Sequence, residues 1–198
     1  MPRPYRAHSR SPRPARTRSK ITEAVRELLA EGRFHESTVE EVADRAGVAR
    51  ATVYQHFGSR LDLVDAICET FDANPALLEL RQLVGLPDAD EALARTIANT
   101  VRFWSSEDAI LSQLYGVAAI DPAARDLVDR QRADRRGEME RLVRNLRDAG
   151  RLRVAERRAL ALLLVLTSYE TFRELRAAGL SDRQMVAFLQ EAAREALT

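Results

Sequence analysis

The sequence has very little of several residue types, and each shortage excludes something. Cysteine occurs once in 198 residues, as Cys68, which rules out an internal disulfide and suits a reducing compartment. At such a position it reads as a small buried hydrophobe rather than a redox sensor. Histidine occurs three times, as His8, His35 and His56, and none has a glutamate three residues before it. The Glu-x-x-His pairs of a di-iron bundle are therefore absent, and no Cys/His spacing suits zinc. A glycine-rich phosphate loop and a nucleophile elbow are missing too. The expectation is a protein that is not an enzyme and has no cofactor and no metal. Long apolar runs are also lacking. The longest, Ala159–Leu166, is far short of the roughly 18–20 residues a membrane helix needs. The basic first twenty residues have no apolar run behind them and do not form a secretory signal, so a cytoplasmic protein with no membrane partner is expected.

What is present favours helix. Ala, Leu, Arg and Glu are plentiful, aromatics make up 6%, and the chain is long enough for a sizeable core. Lys20 is the only lysine among 31 basic residues, a bias that carries no functional inference. The net charge of +1 conceals an uneven distribution. Residues 1–20 hold seven basic residues and no acid, and residues 21–60 hold five basic and seven acidic ones, so 1–60 nets 12 − 7 = +5. The remainder nets +1 − 5 = −4. A basic head on a mildly acidic body points to a polyanion partner at one end.

Period 3.6 recurs along the chain while period 2 does not, so the fold class is all-α with about nine helices. Ile21, Val25, Leu28 and Leu29 mark a first helix over about 17–31, stopped by Gly32. Thr38 and Glu41 form a T-x-x-E capping box for a second, ended by Gly47. A third covers about 49–57, and Ser59 with Asp62 opens a fourth running through Phe71. "NPALLEL" and "GLPDAD" read as connections. Leu93 to Trp104 then form a fifth helix and Ile110–Ile120 a sixth. Pro122 opens a long charged seventh ending near Gly150, 155–178 forms an apolar eighth, and Ser181 caps a ninth. The seventh ("RDLVDRQRADRRGEMERLVRNLRD") reads as a solvated face without a partner.

Two short helices joined at "AGV" form a helix-turn-helix over 38–57. With Val53 and Phe57 inward, Arg50, Ala51, Tyr54 and Gln55 face outward, as on a helix that enters the major groove. Arg50 suits guanine, and Ala51 suits a thymine methyl or close approach. Thr52, Tyr54, Gln55 and His56 suit phosphates, as does Arg60 at the start of the fourth helix. The basic arm could follow the DNA backbone or enter an adjacent minor groove.

The stretch "EGRFHESTVEEVADRAGVARATVYQHFGSRLDLVDAI" resembles TetR-type transcriptional regulators, and the likeness is concentrated in residues 17–75. A weaker likeness to the family's late helices lies in "LLLVLTSYETFRELRAAGLSDRQM". The resemblance implies that Thr38 is a cap and phosphate contact and that Arg50 and Ala51 face bases. It makes Thr52, Tyr54, Gln55, His56 and Arg60 backbone contacts. The sequence departs from the family pattern at Ala49, where Ser would cap the third helix, at Ala51 for Gly and at Arg60 for Lys.

The charge pattern marks a basic, disordered arm (1–14), and the resemblance implies a DNA-binding domain (15–75) and a C-terminal domain (76–198) for a small-molecule effector and for dimerisation. Candidate pocket residues are Phe71, Phe103, Trp104, Tyr115, Met139, Tyr169 and Phe172, with Asn99, Thr100, Gln113 and Thr167 as polar neighbours. The wide apolar faces within about 155–198 are candidates for a homodimer interface, which would place two heads on a pseudo-palindromic operator. The expected function is a ligand-released repressor. The rival is a helical ligand-binding module without DNA binding.

Overall fold

A computed structural model describes residues 13–198. The expected arm over 1–14 therefore lies almost wholly outside the described residues. Among these residues there are ten α-helices and no strands. They divide into two compact units, one ending at Ile67 and the other beginning at Cys68.

The first unit contains α1 (Arg13–Ala30), α2 (Val39–Ala46), α3 (Arg50–His56) and most of α4 (Arg60–Phe71). Helix α1 starts earlier than the apolar pattern implied, so Arg16 joins Arg18 and Lys20 of the basic segment in the helix. Its buried face is Ile21, Ala24, Val25, Leu28 and Leu29, at the i, i+3, i+4, i+7 spacing of an amphipathic helix. Val42, Ala43 and Ala46 of α2, Val53 of α3, and Phe34 and Phe57 between helices complete this core with Leu63, Val64 and Ile67.

Helix α2 starts at Thr38, whose Oγ1 accepts the Glu41 N–H at 3.2 Å. The expected return bond is replaced, since the Glu41 carboxylate accepts from Arg33 at 2.8 Å. At Ser59 the reciprocal pair does form: Asp62 N–H donates to Ser59 Oγ at 3.1 Å, and Ser59 N–H donates to the Asp62 carboxylate at 2.9 Å.

The second unit is built around α6 (Ala89–Ile120), a single helix of 32 residues and about 48 Å. Helix α7 (Pro122–Asp148) folds back along it after one residue, Asp121, whose carboxylate caps α7. Helix α5 (Pro75–Leu83) and α10 (Asp182–Leu197) also pack on α6, and α8 (Glu156–Leu166) packs on α7 and α10. Helix α9 (Tyr169–Ala177) touches α6.

The helix count differs from the expected nine in three places. "NPALLEL" is α5, because Asn74 caps it by accepting the Ala76 N–H at 2.9 Å and Pro75 fits its first turn. The expected fifth and sixth helices are one, because the polar stretch after Trp104 is satisfied within it: Ser106 donates to Phe103 O at 2.9 Å and Glu107 accepts from Asn74 at 2.8 Å. The expected eighth is two, because Ser168 accepts the Thr171 N–H at 3.1 Å and starts a new helix inside an apolar run. No helix among the described residues is long and apolar enough to cross a membrane.

Candidate nucleic-acid interface and cavity

Helix α3 is short, and its orientation comes from the turn before it. Gly47 sits at φ +64°, a left-handed conformation that favours glycine, and Val48 N–H reaches back to Ala43 O at 2.9 Å. Small Ala43 and Ala46 let α3 pack closely, and Val53 and Phe57 anchor its inner side. The far end is held by Arg18, whose guanidinium lies 4.5 Å from the Phe57 ring centre and donates to His56 O at 3.4 Å.

With that side fixed, Arg50, Ala51, Tyr54 and Gln55 share one exposed face, at the i, i+1, i+4, i+5 spacing of a helix. Tyr54 is 47% exposed, and the Arg50 guanidinium lies 5.6 Å from its ring centre. Glu40 is the nearest acid to Arg50, at 3.9 Å. Tyr54 first, then Glu40, raise the pKa of Arg50, so it stays a cation throughout the accessible pH range. Thr52 and His56 are half-buried on the flanks, and Thr38 is exposed at the start of α2. Ala49 occupies the N-cap position of α3 with an extended backbone and no side-chain bond.

Arg60 departs from the expected phosphate contact. Its Nη1 donates to Ser37 O at 2.6 Å and its guanidinium lies 3.9 Å from the Phe34 ring centre, so it ties the start of α4 to the α1–α2 connection. Burial pushes its pKa down, and its Nη2 is buried without a partner. The planar guanidinium stacks on an aromatic ring, which the ammonium of a lysine would not do in the same way. The sequence reading also missed the pairing that fixes α2 against the end of α1, where Arg45 bonds Glu31 through both nitrogens at 2.6 and 3.0 Å. Glu31 is held below its usual pKa by that bond.

In the second unit, six of the seven candidate pocket residues form one chain of rings. Phe71 meets Phe103 at 6.0 Å between centroids, Phe103 meets Trp104 at 4.9 Å, and Trp104 meets Tyr169 at 5.4 Å. Tyr169 also meets Tyr115 at 4.7 Å and Phe172 at 6.0 Å. Most of this chain is packing. Only Phe103, Trp104 and Tyr115 line a cavity, of about 100 Å³, while Phe71, Met139, Tyr169 and Phe172 are core. Of the polar neighbours, Asn99 and Thr100 line it; Gln113 and Thr167 do not.

The remaining wall comes from Asp72, from Leu77, Leu80 and Arg81 of α5, and from Gln131, Arg132, Asp134, Arg135 and Glu138 of α7. Helix α7 is therefore not a purely solvated face. Its apolar residues hold it on the core and bring one charged side to the cavity, which a count of charges cannot show. A second hollow of about 430 Å³, between α6 and α10, is larger but open, and no aromatic side chain lines it. Among the described residues, no group of three or more His, Cys, Asp or Glu side chains is placed to hold a metal ion.

Fold and site together define a helix-turn-helix protein with a helical C-terminal unit. Residues 21–67 match the family model described as "Bacterial regulatory proteins, tetR family". A stretch of 64 residues is 38% identical to the HTH-type transcriptional activator FasR of Mycolicibacterium smegmatis, covering 32% of this chain and 29% of that protein. The chain spans less than two thirds of the length of the curated relatives it matches. Among solved structures, Salmonella enterica GusR superposes with a TM-score of 0.75 at 21% identity, over 96% of this chain and 99% of that one. A regulator of the TetR/AcrR family from Thermobifida fusca superposes at 0.70 with 23% identity, over 89% of this chain and 96% of its own. The match over residues 21–67 places the helix-turn-helix unit with the TetR family, and the superpositions show the same fold along the rest of the chain.

Proposed function

We propose that the protein is a cytoplasmic, sequence-specific DNA-binding transcriptional regulator, a repressor released from its operator by a small-molecule effector. The observation that carries this reading is the exposed Arg50–Tyr54 pair on a helix whose other side is fully engaged. An arginine stacked beside a tyrosine, with no strong acid pairing, is oriented for a base edge or a phosphate. In this reading Arg50 and Ala51 face bases. Thr38, Thr52, Tyr54, Gln55 and His56 serve the backbone, and Arg60 orders the head from within.

The fold's second unit supplies the effector site and the dimer. Val165 on α8 is 62% exposed and Phe188 on α10 is 50% exposed, apolar surface that a second copy would cover within about 155–198. Two heads so joined would read a pseudo-palindrome, and an effector that favours mis-spaced heads would lower DNA affinity by its differential binding energy.

The test is fluorescence anisotropy against DNA from upstream of the protein's own gene, across a salt series, beside an Arg50→Ala, Tyr54→Ala double variant. Both positions are exposed, so the variant keeps its fold. Tight, salt-steep binding by the parent with a loss of about 100-fold or more in the variant is expected. Equal binding by the two would remove α3 as the reading helix.

A further inference from the structure

The charged residues around the cavity are not equivalent. Arg132 is engaged by Glu170 at 2.6 Å and Asp129 at 3.3 Å, and Glu138 by Arg141 at 2.7 Å. Asp72, Arg81 and Asp134 are exposed to water. Arg135 differs from all of these. It is half-buried, and its only hydrogen bonds go to neutral acceptors, Leu164 O at 3.0 Å and Thr167 Oγ1 at 2.9 Å. Both are made by Nη1. Among the described residues, Nε and Nη2 have no acceptor and no carboxylate lies within ion-pair distance. Burial pushes the Arg135 pKa down, and the more distant Tyr115 and Glu170 offset that only in part.

A guanidinium offers parallel N–H pairs that match a carboxylate. Here one nitrogen is anchored at the α8–α9 break while the rest of the fork is uncommitted, on a cavity whose apolar wall is Leu77, Leu80, Phe103 and Trp104 and whose acidic residues, Asp72, Asp134 and Glu138, are exposed or already paired. Size adds a limit. The cavity of about 100 Å³ is smaller than the roughly 150 Å³ that holds benzene in an engineered protein core. An apolar body larger than a short chain or one small ring is therefore excluded without large rearrangement.

We propose that this cavity takes a small organic carboxylate, its apolar body against Phe103 and Trp104 and its carboxylate received by Arg135. The assignment rests on the reading of the second unit as an effector domain and names the chemistry of that effector. Thr167 and Leu164 act as positioning groups, holding the guanidinium so that little is lost in ordering it when the anion arrives.

Trp104 lines the cavity and is the only tryptophan, so its fluorescence reports occupancy without any DNA. The full chain is titrated with benzoate, phenylacetate and hexanoate, each beside its neutral amide, and with benzylamine as a cation. At least one acid should change Trp104 emission saturably, about ten-fold or more tighter than its amide. Arg135→Gln should erase that preference while Arg135→Lys keeps part of it. The acid–amide comparison on the unaltered protein needs no variant and stands even if Arg135→Gln folds poorly.

Amides binding as tightly as acids, benzylamine binding tighter than either, or no response to any acid would each overturn the proposal. Operator anisotropy with the same compounds separates it from the regulatory reading. Acid binding with unchanged DNA affinity leaves the ligand assignment standing and defeats effector control. Release by a neutral amide does the reverse.

Discussion

Two pairs of short helices in this chain are broken by very different means. Between α2 and α3 the break is a glycine at φ +64°, a feature of the backbone itself, with Val48 N–H bonded to Ala43 O at 2.9 Å. Between α8 and α9 no glycine is involved. Thr167 donates to Leu163 O at 2.6 Å, Trp104 Nε1 donates to Thr167 O at 3.1 Å, and Arg135 reaches Thr167 Oγ1 from α7. The first break is set by what the residue lacks, and nothing bound elsewhere can change it. The second is held in part by Trp104 and Arg135, which also line a cavity, so its stability depends on what those side chains touch. A reading head needs the first kind of joint, and a ligand-responsive unit can use the second.

The comparison is broken most severely at Gly47. Space is not the obstacle, since a Cβ there would meet nothing within 4 Å. The cost is the left-handed backbone, which a β-branched residue tolerates poorly. Gly47→Val should lower the stability of the first unit by about 2–3 kcal/mol. Amide exchange along α2 and α3 would rise while α6 and α7 keep their protection; uniform loss across both units would show that the turn is not a local joint.

Thr167→Val tests the other joint. Shape is kept, but the bond to Leu163 O and the acceptor for Arg135 are lost. A loss of about 1–2 kcal/mol is expected, read by urea unfolding, with faster exchange confined to the end of α8 and the start of α9. An unchanged midpoint would show that the Thr167 hydroxyl and its bond from Arg135 do not hold the break.

These two joints also explain how much could be read from sequence. The head was legible because its signals are local: Thr38 as cap, Gly47 as stop, and Val53 with Phe57 spaced to turn Arg50, Ala51, Tyr54 and Gln55 outward. The packing of Arg60 was not legible because its partner, Phe34, is distant in sequence and the charge alone says nothing about direction. In the second unit, Asn74 before Pro75 was a helix start hidden by brevity, and Ser168 was a cap hidden inside an apolar run. The cavity was only half legible. Aromatic spacing found Phe103, Trp104 and Tyr115, but could not separate them from the core rings Phe71, Tyr169 and Phe172. Arg135 was invisible, because one arginine in a helix with many others is distinguished only by what it fails to pair with.

The smallest effect sharpens the contrast from the other side. Helix α3 begins at Ala49 without a side-chain cap, although its φ of −71° and ψ of 146° already suit one. The hydroxyl of Ala49→Ser would accept one of the unpaired N–H groups of the first turn, at no cost in backbone rearrangement. The first unit should gain about 0.5–1 kcal/mol in urea unfolding, with slower exchange in α3. Because Arg50 and Tyr54 are untouched, DNA affinity should stay level or rise slightly as the reading helix frays less. A fall in affinity with the same gain in stability would mean that the uncapped end is used: the protein would need the first turn of α3 loose, or its N–H groups open, when it meets the DNA backbone.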